Sequence, residues 1–597
     1  MNKQDLIKKI KDLTDISNDE KAYLIELVNT KKKYGLVWED KPEDVEEQLR
    51  SMLPVFKEVK ERAIINNDGS LSGVEVPNHI LIEGDNLHAL TALSYTHEGK
   101  VDVIYIDPPY NTGNKDFIYN DAYVDKEDSY RHSKWLSFMD KRLRLAKKLL
   151  SENGVIFISI SDIENAQLKL LCSEIFNENN FIANLIWSNK EGGGSSDSKH
   201  IRIKHEYILC YSKNKDLTII NGVEISNEIR YKSKDKHFSI RGPYYTQKLG
   251  MGSIQYSESL DYAIECPDGS FVMPKDNNSG KKACWRWSRK KFDWGIENDF
   301  IEFKKDKNGI WNVYTKQYLK FDNDGNVIER TQRPFGLIEN FSSTQASKKL
   351  DELKLSQTFS YSKPVDLISY LLKLINGQTI LDFFAGSGTT LHAAMALNAE
   401  DGGNRQCILV TNNENKIAEE VTYERNKRVI QGYTNAKGEQ VEGLKNNNLR
   451  YYQADFVPSE RTEMNRRLLT ARSTELLSIK ENCFIDKTKD FGINEKQAKL
   501  FTNGLGKYMV VVYHTRNQEE VIEQLSSVIS GLDTSEKVKV YAFSPEKEII
   551  EDDFYKVAHK ITAVPLPDSI YNAYRATFRT LKLDKKEAVS STTNQEA

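Results

Sequence analysis

Four adjacent residues, Asp107, Pro108, Pro109 and Tyr110, end a strongly apolar run in the stretch KVDVIYIDPPYNTG. A carboxylate at the carboxyl end of such a run lies where open α/β sheets bind their ligands. The two prolines fix φ and remove two N–H donors, which leaves a stiff backbone whose carbonyls are acceptors. A side-chain acceptor beside a backbone acceptor matches an exocyclic amine with two hydrogens to donate. Tyr110 adds a flat face for an unstacked base, a contact worth about 1–3 kcal/mol. That contact offsets part of the few kcal/mol that flipping a base out of a duplex costs. Hydrogen bonds to Asp107 and to the Pro108 carbonyl would draw the amine nitrogen toward a tetrahedral state, whose lone pair can attack an electrophilic methyl group in line.

A second stretch, TILDFFAGSGTTLHAAMALN, reads as a strand, a glycine turn and a helix, which turns backbone N–H groups and a helix N-terminus toward a ligand. It lacks the lysine of a phosphate-gripping loop, and Leu391 stands where a third dinucleotide-loop glycine would be. Asp382 at the strand end would repel a pyrophosphate but suits a ligand with an amino group, such as S-adenosylmethionine. Phe383, Ala385, Gly386, Gly388 and Thr389 complete the expected cofactor turn. One strand later, CILVTNNEN places Glu414 where an acid accepts hydrogen bonds from ribose hydroxyls.

These residues need a scaffold, and the chain has room for one. Its 597 residues predict three or four domains. A 39 % hydrophobic and 29 % charged composition is that of a soluble globular protein, and no apolar run approaches the roughly 18 residues of a membrane span. The first residues lack the apolar core of a secretory signal, so a cytoplasmic protein is expected. Six widely spaced cysteines, Cys172, Cys210, Cys266, Cys284, Cys407 and Cys483, predict reduced, mostly buried thiols and no metal site. His88, His132 and His205 lack paired ligand spacing and read as structural or surface residues.

A net charge of −3 excludes a generally basic coat, so contacts to nucleic acid must be local. Residues 186–250 hold 12 Lys/Arg against 7 Asp/Glu, and KKACWRWSRKKFDW holds six against one. Arg286, Arg289 and Lys290, with Lys199 and Arg202, are the candidate DNA-binding residues. The interleaved tryptophans suit base or sugar contacts, or else lie tucked beneath a solvated face.

Residues 1–65 read as helical, including LIKKIKDL and VEEQLRSMLPVFKEVKERA, and NNDGSLSG as a linker. Strands and helices alternate from HILIEGDN to FIANLIW, stop after Trp187, and resume at Val365. Within the interruption, HEYILCYSK reads as a packing strand. Two α/β blocks around an irregular block predict one doubly wound sheet with a large insertion. Its parts are residues 66–188, an insertion over 189–354, and residues 355–454. Residues 455–597 carry their own βαβ pattern and read as a separate small α/β domain ending in an unstructured tail.

The motifs DPPYNTG and, later, DFFAGSGTT resemble those of the DNA amino-methyltransferases in which the catalytic motif precedes the cofactor motif. The stretches YGLVWEDKPEDVEEQL, RHSKWLSFMDKRL and SKPVDLISYLL extend the resemblance to the modification (Mod) subunits of type III restriction-modification systems, over roughly residues 34–435. It implies a Rossmann-like methyltransferase sheet, S-adenosylmethionine as cofactor and N6-adenine methylation of a short asymmetric site in double-stranded DNA. It further implies a Mod homodimer and a restriction (Res) partner. By the same resemblance, Asp107, Pro108 and Tyr110 are catalytic, Asp382, Gly386 and Gly388 form the cofactor loop, and Glu414 is its ribose contact. Asp85 and Asn86 of EGDN match the motif near the cofactor's adenine, Lys363 of SKP the one near its methionine part, and residues 189–354 the target-recognition domain. An N4-cytosine enzyme and a solitary modifying enzyme remain open, although aspartate rather than serine at position 107 favours adenine. A recognition subunit without methylation is disfavoured by the intact Asp107, Tyr110, Gly386 and Gly388.

Overall fold

Alternating apolar runs and amphipathic segments build a parallel sheet that is covered on both faces. The computed structural model describes residues 38–66, 76–113, 116–120, 122–190, 200–224, 230–251, 256–274, 282–513, 518–544, 550–581 and 583, with positions 9, 10, 13 and 21. It divides into two compact units, one of residues 1–220 with 336–597 and the other of residues 221–335.

The larger unit is built on ten strands: β1 (Met52–Glu58), β2 (Asn78–Glu83), β3 (Val101–Ile106), β4 (Leu150–Ile160), β5 (Phe181–Ser188), β6 (His205–Ser212), β7 (Leu337–Ile338), β8 (Thr379–Asp382), β9 (Gln406–Thr411) and β10 (Asn448–Pro458). Their order is β1-β10-β2-β9-β8-β3-β4-β6-β5-β7. The run from β10 to β4 is parallel throughout, whereas β1 and β6 pair antiparallel with their neighbours. Helices α1 (Asp44–Ser51), α2 (Asn86–Thr96), α3 (Arg131–Leu149), α4 (Asp162–Phe176), α5 (Val365–Lys373), α6 (Thr389–Asp401) and α7 (Glu424–Gln431) accompany it. Ile80, Ile82, Ile104, Ile106, Ile158 and Val410 share one core with Leu87 and Leu93 of α2, Leu143 of α3 and Leu168 of α4. Their alternates Leu81, Val103, Tyr105 and Leu409 are buried as well, so neither face meets water, as a parallel sheet requires. This is the doubly wound Rossmann-like fold that the alternation predicts.

Three expectations are corrected. VEEQLRSMLPVFKEVKERA is not one helical segment: α1 stops at Ser51, and Met52–Glu58 forms β1 against β10. Pro54 is tolerated because β1 is an edge strand, and burial of Leu53, Val55 and Phe56 outweighs local helical preference. The insertion is shorter than 189–354, because β6 lies between β4 and β5 in the main sheet and the compact second unit spans 221–335. Residues 455–597 are not a separate unit. Their five-stranded sheet, Ile485–Asp486, Ala498–Thr502, Tyr508–Val512, Val538–Phe543 and Ile561–Leu566, contains the expected parallel βαβ pair around helix Gln518–Gly531. However, Leu476, Met509, Tyr541 and Tyr574 belong to the same core as α2. LIKKIKDL falls largely, and NNDGSLSG after Asn66 and the tail wholly, outside the described residues.

The second unit has an antiparallel sheet of Tyr244–Lys248, Trp311–Tyr318 and Ile301–Lys305 and an aromatic core of its own. Val223 and Glu224 pair with Gln332 and Thr331, so the chain enters and leaves this unit on adjacent strands. All six cysteines are buried and free, as expected.

Candidate active site

β3 and β8 are parallel neighbours, with Ile104 opposite Leu381. From β3 the chain winds through α3 to β4 on one side of this pair. From β8 it winds through α6 to β9 on the other. The winding direction therefore reverses between them, and the crevice beyond their carboxyl ends is the ligand site of such sheets. Asp107 and Asp382, at the two strand ends, open that crevice.

On the β3 side, Tyr105 and Ile106 are buried and the chain emerges at Asp107. The Lys363 ammonium lies 2.8 Å from both Asp107 carboxylate oxygens and 2.9 Å from the Tyr110 hydroxyl. That hydroxyl in turn donates to Glu206 Oε2 at 2.9 Å, while Asn189 Nδ2 donates to Glu206 Oε1 at 2.7 Å. The Trp135 indole N–H donates to the Pro109 carbonyl at 2.7 Å. Among the described residues no donor engages the Pro108 carbonyl, so the backbone acceptor expected beside Asp107 is available. Behind the loop, Asn111 adopts a left-handed φ of 55° and donates to buried Glu164 Oε1 at 2.6 Å, the oxygen His132 Nδ1 also approaches at 2.6 Å. This network fixes the loop from both ends.

Burial works against the charge on Lys363, but Asp107 and Glu206 outweigh it and hold its pKa above the ordinary value. Burial, and after it the same two carboxylates, push the Tyr110 phenol well above its usual range. Lys363 is thus a cation and Tyr110 a neutral donor.

On the β8 side, the glycine turn is shaped by its backbone. Gly386 and Gly388 have φ of 49° and 75°. A Cβ on Gly386 would meet only Phe359 and Phe384 at ordinary contact distance, so the turn presents open backbone there. At Gly388 a Cβ would lie 2.4 Å from Asn426 Nδ2, so that glycine serves close packing onto α7. Asp382 is turned inward, accepting from Phe384 N at 3.0 Å and Thr390 Oγ1 at 2.5 Å. Burial lifts its pKa to about 7, against the pull of those two bonds, and Asp107 adds to the rise. Asn86 Nδ2 donates to the carbonyl of buried Phe383 at 3.1 Å, and Asp85 caps α2 by accepting from Leu87 N at 2.7 Å. Ala385 N donates to Val410 O at 3.1 Å, and Thr389 begins α6. Glu414 is exposed, three residues beyond β9.

The structure therefore brings Asp107, Tyr110 and Lys363 into one network, and ties Asn86 to Phe383 in the segment that leads into the glycine turn on the adjacent strand. Lys363 reaches the Asp107 loop rather than the glycine turn. Sequence reasoning missed Glu206, Asn189, Trp135 and Glu164. The signal for Glu206 was an acid inside the apolar strand HEYILCYSK, whose role is wider than packing. His132 pairs with buried Glu164.

In the second unit, Arg289 and Lys290 are exposed, and Arg289 pairs with Asp293 at 3.0 Å. Arg286 is partly buried. Trp285 and Trp287 are buried members of this unit's aromatic core rather than exposed base contacts. Arg202 is exposed in the larger unit, and Lys199 lies outside the described residues.

Among the described residues no helix is long and apolar enough to cross a membrane. The chain is similar to curated proteins over much of its length. The Mod subunit of the type III restriction-modification enzyme StyLTI of Salmonella typhimurium is 32 % identical over 405 residues, covering 63 % of this chain and 58 % of the relative. The EcoPI Mod subunit of Escherichia phage P1 is 31 % identical over 384 residues, covering 56 % of this chain and 58 % of the relative. The type II methyltransferase M.KpnI of Klebsiella pneumoniae is 32 % identical over 384 residues, covering 61 % of this chain and 88 % of the relative. The chain thus spans 58 % of the length of the two Mod subunits it matches. A family model described as DNA methylase matches residues 101–433, which run from β3 through α7 and so contain both strand ends of the crevice. By that match, over more than half of its 597 residues, the chain belongs to the DNA methylase family.

Proposed function

We propose that the chain is a site-specific DNA adenine-N6 methyltransferase that uses S-adenosylmethionine and serves as the Mod subunit of a type III restriction-modification system. The observation that carries this reading is the adjacency of the Asp107 and glycine-turn strand ends across the switch between β3 and β8. Asp107 and the Pro108 carbonyl accept the two amine hydrogens of a flipped adenine, and Tyr110 supplies the stacking face. Pro109 keeps the loop stiff, its carbonyl held by Trp135.

The residues present fit the cofactor, because the Gly386 turn leaves open backbone and an inward carboxyl stands beneath it. When bound, S-adenosylmethionine supplies an electrophilic methyl group. Gly386, Gly388 and Thr389 with Asp382, Phe383 and Ala385 hold it, Asp85 and Asn86 support its adenine end, and Glu414 takes the ribose. Lys363 neutralises Asp107 before substrate arrives and moves aside toward Glu206, 3.6 Å away, as the amine takes its place. Arg286, Arg289, Lys290, Lys199 and Arg202 supply local positive charge for DNA phosphates.

A homodimer, a Res partner and a cytoplasmic, nucleoid-associated location belong to the same proposal, and the likeness to two type III Mod subunits supports the Res partner. A solitary type II modifying enzyme is the second reading, favoured by the 88 % coverage of M.KpnI. Single-molecule sequencing of DNA from cells with and without the protein tests the reaction, and co-purification of an ATPase-nuclease subunit separates the two readings. Asp107→Ala should abolish methyl transfer in a labelled-methyl assay while a gel shift shows DNA binding retained. Equal loss of both would show Asp107 to be structural.

A further inference from the structure

The residue that leaves the acceptor loop is held by a buried acid that the reaction above does not use. Asn111 follows Tyr110 directly, is fully buried and adopts a left-handed φ of 55°. Its Nδ2 donates to Glu164 Oε1 at 2.6 Å and lies 3.3 Å from the Arg131 carbonyl. Glu164, on α4, is itself wholly buried. The same Oε1 accepts from His132 Nδ1 at 2.6 Å, and Arg131 Nε donates to His132 Nε2 at 3.3 Å, which leaves Nδ1 as the donor of the neutral ring. Glu164 Oε2 and Asn111 Oδ1 are buried with no hydrogen-bond partner among the described residues.

This arrangement serves stability poorly. A buried carboxyl with one bare oxygen is costlier than an apolar side chain of its size, and a left-handed asparagine adds backbone strain. Burial raises the Glu164 pKa, against the pull of Asn111, His132 and Arg131. Such costs gather where one conformation must be held for chemistry. The conformation held here is the exit from the acceptor loop. Pro108 and Pro109 stiffen its start and Trp135 holds the Pro109 carbonyl, but the turn after Tyr110 has no proline and depends on Asn111. A misplacement of about 1 Å in a reacting geometry costs on the order of 100-fold in rate.

We infer that Glu164 is a positioning residue for methyl transfer: by gripping the Asn111 amide in its left-handed turn, it holds the Tyr110 ring, the Asp107 carboxyl and the Pro108 carbonyl in register with the incoming amine. The inference rests on the reading of the chain as an adenine methyltransferase. Glu164 touches neither substrate nor cofactor and acts through Asn111, while His132 orients Glu164 from the other side.

Single-turnover methyl transfer by the full chain tests it, at saturating S-adenosylmethionine and on DNA that carries the site found by sequencing. Glu164→Met should lower the rate about 10- to 100-fold, the range for a lost hydrogen bond to a charged group, while DNA affinity in a gel shift stays within about threefold. Asn111→Gly keeps the left-handed turn accessible but offers no amide to grip, and should lose as much. It carries the same expectation if Glu164→Met does not fold. Glu164→Gln keeps an acceptor at Oε1 and should recover most of the rate. The double variant Asn111→Gly/Glu164→Met should be no slower than the slower single variant, because both changes cut one link. Amide hydrogen exchange over residues 110–113 should quicken in Glu164→Met and stay near wild type in Glu164→Gln. Losses that multiply in the double variant would overturn the inference. So would an equal loss of methyl transfer and DNA affinity in Glu164→Met, which would make the residue structural. A wild-type protein that transfers no methyl group to adenine would instead remove the methyltransferase reading, and the positioning role with it.

Discussion

Asp382 carries one of the most displaced carboxyl groups near the crevice, and its titration is a signature of the glycine turn. Its folded pKa of about 7 exceeds the value near 4 of an unfolded aspartate. The stabilisation linked to its proton is therefore fully present below about pH 4 and is lost as pH rises toward 7, because the unfolded chain ionises first. The shift corresponds to on the order of 4 kcal/mol. Asp382→Asn should remove this slope, so denaturant midpoints of wild type and variant measured at pH 5 and pH 7.5 should converge or cross in that interval. Parallel curves would mean that Asp382 is ionised throughout. A cationic ligand above this carboxyl should also expel its proton near pH 7, a release that calorimetry in buffers of different ionisation enthalpy detects.

At the level of elements, the two loops are held by different means. The acceptor loop is stiff by composition, through Pro108 and Pro109, and is then pinned by Trp135 and Asn111. The glycine turn instead depends on close approach to α7. Gly388→Ala combines a left-handed φ of 75° with a Cβ 2.4 Å from Asn426 Nδ2. It should cost about 1–3 kcal/mol by thermal denaturation and weaken S-adenosylmethionine binding while leaving the Asp107 network in place. A neutral Gly388→Ala would show that the turn tolerates movement of α7. The strand and helix spans around both loops follow from local pattern, since each apolar run is short, rich in Val, Ile and Leu, and bounded by turn residues. Met52–Glu58 does not, because its β form depends on pairing with Asn448–Pro458, some 400 positions later.

At the scale of the molecule, residues 221–335 have their own core and enter and leave through the paired segments 223–224 and 331–332. Replacing 221–335 by a short Gly/Ser linker should leave the thermal transition and S-adenosylmethionine binding of the remaining unit intact while abolishing sequence-selective DNA binding in a competition gel shift. Loss of the fold would show that the insertion is part of the main core. By contrast, truncating the C-terminal sheet should destabilise the whole protein, because Leu476, Met509, Tyr541 and Tyr574 pack in the core of the main sheet.

The sequence alone determined the chemistry of each loop. An acid, two prolines and a tyrosine after an apolar run, and a strand, glycine turn and helix further on, act through neighbours a few positions away. Their conformations are therefore written locally. The tertiary structure alone decided which charges meet. Lys363 reaches Asp107 across 256 positions, and Glu206 reaches Tyr110 across 96. No period or motif encodes such pairs, because they exist only once β8 lies beside β3 and β6 beside β4. Burial then gives them their energetic weight: a carboxyl or an ammonium that is unremarkable in water must find a partner or change its proton affinity inside the crevice.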